Sequence, residues 1–477
     1  MKLLVLPFKT ALGYYFYETQ TNEIVSVSKE LFDYIDASVN GEADRMEKAS
    51  SETAKQYEEL VSLGYLAAPH IEKIQHGATY SLQETLNRRV DRIVLQVTQR
   101  CNLRCSYCIY SEDSNFGTRS HSNKSMDIET AKKAVDFLFQ HSIDNDKPAI
   151  AFYGGEPLLE FDLIKQTVEY AKKVFEGREL IFAITTNATL MSDEVIDFLI
   201  ENKFSTTISM DGPKNIQDKN RKFANGKGSY DVLIKNLTRF REKSKGDLPP
   251  FNINMVVDSN DDYAEIISVF DHPALSGVNV NYTFIEEDGV ISPVNKDYLE
   301  AEAYNAFLGL VSYFRDNKKH YPNKLVEYDM GIMDASIERF NPVHLYDESA
   351  PAGPCIPGKM RLFVDYKGSL LPCERVSEAS SCMEVGSLDS GFDIEKINTL
   401  LNVAQLTEEK CKSCWAFSLC MVCAKYAENG DSLCAKKKLE ICETSKNRAY
   451  GKLDVIALAH ENYLHEKEMS DIKECAI

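Results

Sequence analysis

The spacing of the cysteines is the feature that most constrains how this chain folds. Thirteen cysteines occur in 477 residues. Three of them, Cys101, Cys105 and Cys108, lie within eight residues, and nine more lie between Cys355 and Cys442. Grouped cysteines in a long intracellular chain are more often metal ligands than disulfide partners, because cytosolic thiols stay reduced. The sequence therefore predicts two metal-binding regions.

The first group of cysteines follows a predicted buried strand. Residues 92–98 are β-branched and apolar, and the cysteines that follow are separated by gaps of three and two residues. A structural zinc site needs four ligands and a catalytic one usually includes histidine, and we expect no histidine beside this loop. Three thiolates suit a 4Fe–4S cluster that keeps one iron free for another ligand. A zinc knuckle or a set of packing cysteines is the alternative.

The same spacing resembles the signature of the radical S-adenosylmethionine (SAM) enzymes, with the aromatic Tyr107 before the third cysteine. In that family the free iron binds the amino and carboxylate groups of SAM, and one electron cleaves the sulfonium to give a 5′-deoxyadenosyl radical. The resemblance implies that Cys101, Cys105 and Cys108 hold the SAM-binding cluster.

Three later segments resemble other parts of the same family. Residues 151–157 contain Gly-Gly-Glu-Pro, similar to the GGEP motif whose backbone and acidic residue hold the SAM amino group; adjacent glycines let a backbone approach closely. Residues 184–190 and 207–213 resemble the strand ends that bind the SAM ribose and carboxylate. The residues at 217–218 are Gln-Asp instead of the usual His-Asp, which we expect to change little. The resemblance implies SAM contacts by Tyr107, Gly154, Gly155, Glu156, Pro157, Thr186, Asn187, Ser209 and Arg221, with Asp211 orienting them.

Residues 91 to about 300 alternate short β-branched runs with charged amphipathic segments. The predicted strands are 92–98, 149–153, 180–185, 205–210, 251–257 and 278–284. Predicted helices between them include 128–140, 163–175 and 192–202. This alternation predicts an α/β fold with a parallel sheet. Six such units resemble the partial (β/α)6 TIM barrel of the radical SAM family, in which ligands bind at the carboxyl ends of the strands.

The second group of cysteines predicts another metal-binding domain. Its pattern is Cys355-x12-Gly368-x4-Cys373, then Cys382, then Cys411-x2-Cys414-x5-Cys420-x2-Cys423, then Cys434 and Cys442. The pattern resembles the SPASM domain, a C-terminal extension of radical SAM enzymes that modify peptides and proteins, which carries two auxiliary 4Fe–4S clusters. The last gap is two residues here and three in the family. A zinc ribbon is the alternative for 411–423.

The SPASM resemblance also implies how the auxiliary clusters divide the cysteines. Cluster I would be bound by Cys355, Cys373 and Cys423, and cluster II by Cys411, Cys414, Cys420 and Cys442. Cys382, Cys434 and Cys475 remain. Either Cys382 or Cys434 completes cluster I, or this cluster has an open iron, where thioether-forming relatives are thought to hold a substrate thiolate. Cys434 is also an alternative to Cys442, and Cys475 is expected to be structural or a free thiol.

Glu374 is the candidate catalytic residue, directly after Cys373. In sulfatase-maturing relatives an acidic residue at the matching position takes the substrate proton. The resemblance implies that Glu374 deprotonates a substrate thiol or holds the peptide backbone. The alternative is a solvated carboxylate beside Arg375, since charged residues are mostly exposed.

Residues 1–75 contain none of the radical SAM motifs. The predicted strands are 3–8, 14–18 and 24–28, and the predicted helices are 28–37 and 44–63, with Ser28 and Gly64 as caps. Three strands followed by helices resemble the winged-helix recognition element that binds a leader peptide at its sheet edge. The alternative is a winged-helix packing domain without a ligand. Only three lysines supply positive charge before residue 45, which disfavours DNA binding.

The whole chain is predicted to divide into six segments. They are a winged-helix-like peptide recognition element at 1–75, a linker at 76–90, the radical SAM barrel at 91–300, bridging helices at 301–350, the SPASM domain at 351–445 and a C-terminal helix at 446–477. The net charge is −19, from 54 Lys and Arg against 73 Asp and Glu, which argues against a nucleic-acid partner. The apolar run at 1–8 is too short for a signal peptide or a membrane span, so a cytoplasmic location without a membrane partner is predicted.

Together these motifs predict a radical SAM enzyme that modifies a ribosomally made precursor peptide. The expected reaction joins a cysteine sulfur to a carbon of an acceptor residue in a thioether crosslink. The expected cofactors are SAM and three 4Fe–4S clusters, and the expected partners are the precursor peptide and an electron donor such as flavodoxin or ferredoxin. A peptide cyclase that forms C–C crosslinks and a sulfatase-maturase-like enzyme that forms formylglycine are alternatives within the family. A cluster-bearing electron carrier is the alternative outside it, and the SAM-site residues speak against it.

Overall fold

The computed structural model describes residues 3–66, 71–110, 121–246, 250–287, 290–291, 295–315 and 320–474. A ten-stranded sheet forms its centre, and six strands at one side are parallel and adjacent in chain order. They are Arg92–Thr98, Ala149–Gly154, Ile181–Thr186, Ser205–Ser209, Phe251–Val257 and Val280–Phe284. The six predicted strands are confirmed, with ends that differ by at most two residues. The fold is mixed α/β, and the strand order is the one that six successive βα units produce.

Helices cover the sheet between the strands, as the alternation predicts. Those that follow the first five parallel strands include Ile128–His141, Phe161–Val174, Asp193–Glu201, Tyr230–Ser244 and Tyr263–Ser268. In the first of them Ala131, Ala134, Val135 and Leu138 are buried at helical spacing and join one large core with the apolar strand residues. Asp127 caps this helix with a side-chain hydrogen bond to the backbone. The core therefore lies between helices and sheet, and the loops at the strand ends carry the motifs.

The sheet continues past the first parallel strand into the cysteine-rich region. Leu362–Val364 pairs in parallel with Arg92–Thr98. Three antiparallel strands follow it, namely Ser369–Leu371, Gly386–Ser387 and Gly391–Phe392. Leu362, Phe363 and Val364 are fully buried and belong to the same core as the parallel strands. The cysteine-rich region therefore shares one sheet and one core with the predicted barrel.

The first part of the chain forms a small sheet followed by helices. Its strands are Val5–Lys9, Tyr14–Glu18 and Glu23–Val27, antiparallel and in chain order, and its helices are Lys29–Asn40, Ala43–Met46 and Ser51–Ser62. The predicted cap is present, since Ser28 accepts a hydrogen bond from the Leu31 N–H. The prediction of one helix over 44–63 is wrong, because Ser50 begins a new helix by accepting a hydrogen bond from the Thr53 N–H at 3.0 Å.

Further elements connect these parts. The other helices are Leu82–Arg88, Lys214–Asn220, Lys296–Arg315, Lys324–Glu338, Ile394–Leu401, Glu408–Lys412, Ala435–Glu440 and Cys442–Glu474. Short strand pairs join Lys73–Ile74 to Glu348–Ser349, Leu103–Cys105 to Arg221–Phe223, Glu286–Glu287 to Val290–Ile291, and Glu428–Asn429 to Ser432–Leu433. The C-terminal helix Cys442–Glu474, called the closing helix below, begins four residues before its predicted start at residue 446. Within the described ranges no helix combines the length and the apolar character that crossing a membrane requires.

Candidate active site

The first cysteine group lies on a loop directly after the first parallel strand. Within this loop, Leu103–Cys105 pairs antiparallel with Arg221–Phe223, so that Cys105 stands opposite Arg221. The pairing joins the cysteine loop to the segment that follows the fourth parallel strand. The predicted cluster ligands and the predicted SAM contact Arg221 are therefore neighbours.

Burial shifts the pKa of the thiols in this loop. It raises the pKa of Cys101 and of Cys105 to about 12; the nearby Glu156 adds to the rise at Cys101, and Arg221 opposes it at Cys105. Backbone N–H groups donate to the sulfurs of Cys101 and Cys108 at 3.4 Å. A thiol must lose its proton to become a metal ligand, so metal binding here would release protons.

Two glycines bring the second parallel strand against the cysteine loop. The Gly155 N–H donates to the Thr98 carbonyl at 2.9 Å, and the Glu156 N–H donates to the Arg100 carbonyl at 2.8 Å. A Cβ at Gly154 would lie 2.2 Å from the Thr98 oxygen, and a Cβ at Gly155 would lie 2.2 Å from the Arg100 oxygen. Neither position has room for a side chain. The Gly-Gly pair therefore permits a close backbone contact, and its partner here is the cysteine loop.

The Glu156 carboxylate is buried and connects the ends of two strands. Its Oε1 accepts from the Thr186 hydroxyl at 2.6 Å and from the Leu158 N–H at 3.0 Å, and its Oε2 accepts from the Asn187 N–H at 2.8 Å. Burial raises the pKa of Glu156 to about 7, and these hydrogen bonds oppose the rise. Asn187 in turn donates to Asn102 Oδ1 at 2.9 Å. Glu156, Thr186 and Asn187 therefore meet beside the cysteine loop.

A buried ion pair lies on the other side of the loop. Arg221 Nε donates to Asp211 Oδ2 at 2.9 Å, and the Tyr107 hydroxyl donates to the same oxygen. Asp211 is fully buried, and its other oxygen accepts from the Val256 N–H at 3.1 Å. The Arg221 guanidinium lies over the Tyr107 ring, 5.4 Å from its centroid. Asp211 therefore holds both Arg221 and Tyr107 in place.

The other predicted SAM contacts lie at strand ends. Ser209 is the last residue of the fourth parallel strand, and Pro157 is buried at the start of a short 3-10 helix. Gln217, the departure from the family pattern, accepts from the Asp211 N–H at 2.9 Å and donates to Ser229 Oγ at 3.2 Å. The glutamine therefore supports the loop that carries Asp211.

A histidine also lies beside the cysteine loop, and the expectation of none there is wrong. His121 Nε2 is 4.0 Å from Cys108 Sγ, and its ring stacks on Tyr110 with 5.8 Å between centroids. Burial lowers the pKa of His121 to about 4, and Arg104 adds to the effect. Shortly after His121, the chain runs back beside the first parallel strand, where Ser125 forms an antiparallel β-bridge with Thr98 at the end of that strand. The sequence contains no motif that signals this return.

Three cysteines of the second group lie close enough for their charges to interact, with Cys423 near both Cys355 and Cys373. Burial raises the pKa of Cys355; Cys423 and Glu374 raise it further, and Arg361 opposes the rise. Burial raises the pKa of Cys373 to about 11, with a small contribution from Cys423. The structure therefore places near one another the three cysteines that the SPASM resemblance implies for cluster I.

Glu374 is mostly buried at the edge of this cysteine set. Its Oε1 accepts from Arg361 Nη1 at 2.6 Å, and its side chain is 16% exposed. The alternative of a solvated carboxylate beside Arg375 is therefore wrong. Sequence reasoning missed Arg361 because the ion pair depends on a strand pairing, between Leu362–Val364 and Ser369–Leu371.

The four cysteines implied for cluster II form another neighbouring set. Burial raises the pKa of both Cys414 and Cys442. Cys411 and Cys420 lie close enough to both thiols to add to the rise, and Lys446 opposes it. The structure therefore groups these four thiols as well.

The remaining cysteines have other surroundings. Cys382 Sγ is 3.3 Å from Ser380 Oγ, Cys434 precedes the helix Ala435–Glu440, and Cys475 lies outside the described residues. No disulfide joins any two of the twelve cysteines that the structure describes. In the described part of the chain, no three His, Cys, Asp or Glu side chains surround a position for a single metal ion. An iron–sulfur cluster instead spreads its thiolates around several irons, and the three thiol sets fit that donor chemistry.

The N-terminal sheet packs on the loop that carries Cys414 and Cys420. Tyr17 and Leu453 belong to an apolar cluster shared by this sheet and the closing helix. Thr19 Oγ1 donates to the Trp415 carbonyl at 2.6 Å, and Ser418 Oγ donates to the Thr19 carbonyl at 3.0 Å. Trp415 and Ser418 lie between Cys414 and Cys420. The hairpin of the small sheet therefore contacts the segment between these two cysteines directly.

Known proteins resemble this chain over different parts of its length. Residues 95–272 match the profile of the Radical SAM superfamily. The uncharacterized protein MJ0907 of Methanocaldococcus jannaschii is 38% identical over 165 residues, which cover 35% of this chain and 52% of that protein, so this chain spans about half the length of that relative. The cysteine-type anaerobic sulfatase-maturating enzyme of Clostridium novyi is 25% identical over 356 residues, which cover 70% of this chain and 87% of that enzyme.

A solved structure shows the same fold. Native anSMEcpe with bound AdoMet and Cp18Cys peptide superposes with a TM-score of 0.51 at 22% sequence identity, over 76% of this chain and 99% of that chain. The matched residues 95–272 include the cysteine loop, the Gly-Gly pair and the Asp211–Arg221 ion pair. The chain therefore carries a radical SAM domain, and the protein is an enzyme related to anaerobic sulfatase-maturating enzymes.

Proposed function

We propose that this enzyme modifies a ribosomally made precursor peptide by radical SAM chemistry. The observation that carries the proposal is the meeting of the cysteine loop with the Gly154–Gly155 backbone and with Arg221 inside the matched domain. The relative from Clostridium novyi is a sulfatase-maturating enzyme, and the solved structure of similar fold contains bound AdoMet and a bound peptide. Both findings support a polypeptide substrate.

The chain's own residues have distinct parts in this chemistry. When bound, SAM and its cluster supply a radical that abstracts hydrogen from carbon, and the auxiliary clusters supply an electron acceptor. Cys101, Cys105 and Cys108 would hold the first cluster. The proposed SAM contacts are Tyr107, Gly154, Gly155, Glu156, Pro157, Thr186, Asn187, Ser209 and Arg221. Because both oxygens of Glu156 already accept hydrogen bonds, its main part is to align Thr186 and Asn187.

The cysteine-rich region is proposed to be a SPASM domain on a partial (β/α)6 barrel. Cys355, Cys373 and Cys423 would hold cluster I, and Cys411, Cys414, Cys420 and Cys442 would hold cluster II. Cluster I has an open iron in this assignment unless Cys382 or Cys434 completes it. An open iron offers a position for a substrate thiolate.

Thioether formation is the reaction proposed for this site. Joining a cysteine sulfur to a carbon removes a hydrogen atom from the carbon, a proton from the thiol and one electron. Glu374 is the proposed base for the thiol proton, since it lies beside the cluster I cysteines and Arg361 holds it through an ion pair. The cysteine-type substrate class of the Clostridium novyi relative supports a reaction at cysteine.

The N-terminal sheet is the proposed leader-binding element. Its edge strands are Val5–Lys9 and Glu23–Val27. No backbone hydrogen bond joins the outer edge of Glu23–Val27 to another part of the described chain. Pro7 removes one N–H donor from the other edge strand. We therefore assign addition of a leader strand to Glu23–Val27, with the alternative of a packing domain without a ligand.

Two related reactions are alternatives. Trapping of the radical by carbon would give a C–C crosslink, and oxidation of a cysteine or serine would give formylglycine, the alternative nearest to the Clostridium novyi relative. Formylglycine formation does not need a leader-binding element, so the N-terminal sheet favours a precursor peptide. An electron donor such as flavodoxin or ferredoxin and a cytoplasmic location belong to the proposal.

The test is anaerobic incubation of the reconstituted full-length enzyme with SAM, dithionite and candidate cysteine-containing precursor peptides, followed by mass spectrometry. We expect 5′-deoxyadenosine and a peptide that is lighter by two hydrogen atoms, with cysteines that no longer react with an alkylating agent. The same loss with reactive thiols would favour a C–C crosslink, and a new aldehyde would favour formylglycine. The variant with Cys101, Cys105 and Cys108 changed to alanine is the control and should form no deoxyadenosine. If the wild-type enzyme forms none either, the proposal is overturned.

A further inference from the structure

Lys438 is a buried lysine beside the cysteines assigned above to cluster II. It is 3% exposed. Its Nζ donates to Thr407 Oγ1 at 2.6 Å and to Cys411 Sγ at 3.4 Å. Among the residues that the structure describes, no carboxylate lies within ion-pair distance of this ammonium. A buried charge without a counter-charge is costly, so a negatively charged cluster at Cys411 would stabilise this ammonium.

Thr407 completes a directed pair of hydrogen bonds to the same sulfur. Its Oγ1 lies 3.3 Å from Cys411 Sγ, and the residue is 9% exposed. An ammonium can only donate, so the Thr407 oxygen accepts from Lys438. The Thr407 hydroxyl proton is then available to the Cys411 sulfur. One sulfur therefore faces two buried donors, one of them a cation, and this arrangement favours a negatively charged acceptor.

The local fold keeps Lys438 at this position. The residue lies on the helix Ala435–Glu440, and its carbonyl accepts from Cys442 Sγ at 3.6 Å. Its turn therefore contacts two of the four cysteines of cluster II. Lys446 is also near this set, but its ammonium pairs with Glu443 at 2.8 Å and its side chain is 34% exposed. Neutralisation by the carboxylate and screening by water make Lys446 the weaker charge at the cluster.

We propose that Lys438, together with Thr407, raises the reduction potential of auxiliary cluster II. The inference rests on the proposed function, because it needs a cluster at Cys411. Uptake of one electron from an external donor makes a 4Fe–4S cluster with four thiolates more negative by one charge. A buried cation beside one ligand stabilises the reduced form more than the oxidised form, and hydrogen bonds to cluster sulfurs tune the potential. Lys438 is a positioning residue that acts on the cluster and does not contact the substrate.

The experiment is a redox titration of reconstituted full-length enzyme with dithionite, followed by electron paramagnetic resonance. Lys438→Met and Lys438→Gln are compared with Lys438→Arg, which keeps the charge, and with Thr407→Val, which keeps the ammonium. We expect a more negative midpoint potential for cluster II in the Met and Gln variants, a smaller shift in Thr407→Val, and a potential close to wild type in Lys438→Arg. Lys437→Met is the matched control, because it removes the same charge from an exposed neighbour on the same helix, and its potential should not move.

Iron content separates the remaining outcomes. An unchanged potential in Lys438→Met with full iron content would overturn the inference. If the Met and Gln variants lose the iron of one cluster while Lys438→Arg keeps it, the charge is needed to assemble cluster II. The potential of Thr407→Val then decides: a more negative value supports the inference and an unchanged value overturns it. If Lys438→Arg loses this iron as well, Lys438 has a packing role and the inference is overturned. A Cys411→Ala, Cys414→Ala variant with wild-type iron content and spectrum would instead overturn the assignment of cluster II itself.

Discussion

Arg221 and Asp211 form an ion pair in which Nε lies 2.9 Å from Oδ2, with side chains that are 9% and 0% exposed. The pair connects the end of the fourth parallel strand to the strand that pairs with the cysteine loop. A buried pair is costly to break from one side, because the remaining charge keeps no counter-charge. The position of the cysteine loop therefore depends on Asp211 and Arg221, two charged residues that lie outside the cysteine motif.

Asp211→Asn tests this dependence. We expect it to lower the free energy of unfolding by about 3 kcal/mol, because Arg221 then stays buried without a negative partner. The measurement is chemical denaturation of the metal-free protein. Asp33→Asn is the control, since the Lys29–Asp33 pair is exposed and should contribute less than about 1 kcal/mol. An equal loss in the two variants would contradict the argument.

Gly155→Ala tests the contact between the second strand and the cysteine loop. Its Cβ would lie 2.2 Å from the Arg100 carbonyl oxygen, so the loop must move and the three thiols lose their arrangement. We expect the reconstituted iron content to fall by about one cluster. The control is Gly331→Ala in the helix Lys324–Glu338, where a Cβ meets nothing within 4 Å. The control should keep its iron and gain roughly 0.5–1 kcal/mol of stability; full iron content in Gly155→Ala would refute the steric argument.

The raised pKa of Asp329 leads us to expect that the stability of the protein depends on pH. Burial raises its pKa to about 6 from an ordinary value of 3.8, while the Tyr282 hydroxyl donates to its oxygens at 2.8 and 3.0 Å. Between these two pKa values the folded state binds more protons than the unfolded state, so the free energy of unfolding falls as pH rises from about 4 to about 6. A shift of this size corresponds to at most about 3 kcal/mol.

The check is urea unfolding of the wild type and of Asp329→Asn across this pH range. The variant has no carboxyl at this position, so its stability should fall less steeply with rising pH. Asp33→Asn, at an exposed position, should keep the wild-type slope. If Asp329→Asn keeps that slope as well, the half-buried Asp329 carboxyl is not responsible for it.

Leu453→Ala tests the docking of the N-terminal sheet. Leu453 is fully buried on the closing helix and packs in one cluster with Phe8, Tyr15 and Tyr17. Truncation leaves a cavity and should lower stability by about 2–5 kcal/mol. We also expect limited proteolysis to release the N-terminal segment sooner. Leu12→Ala, at a residue that is 80% exposed, should change stability by less than about 0.5 kcal/mol; similar proteolysis of both variants would argue against the docked arrangement.

Local sequence predicted the elements whose ends carry their own signals. The strands over 92–98 and 251–257 coincide with their predictions, because each is a short run rich in apolar and β-branched residues that ends before a polar residue. The helix break at Ser50 was missed, since the polar pattern of 44–63 reads as one continuous helix and the cap is evident only from its hydrogen bond. The return of His121 to the cysteine loop was also missed, because it depends on a bridge to the first strand.

The sequence by itself determined the chemistry of the site. Thiols at fixed spacing and paired glycines are covalent properties of the chain, so they point to a metal group and to a close backbone contact before any fold is known. Only the tertiary structure decided which charges meet. Arg221 forms an ion pair with Asp211, Arg361 forms one with Glu374, and Lys438 donates a hydrogen bond to Cys411. Each of these contacts depends on how strands and helices pack, and packing is set by burial across the whole chain rather than by local spacing.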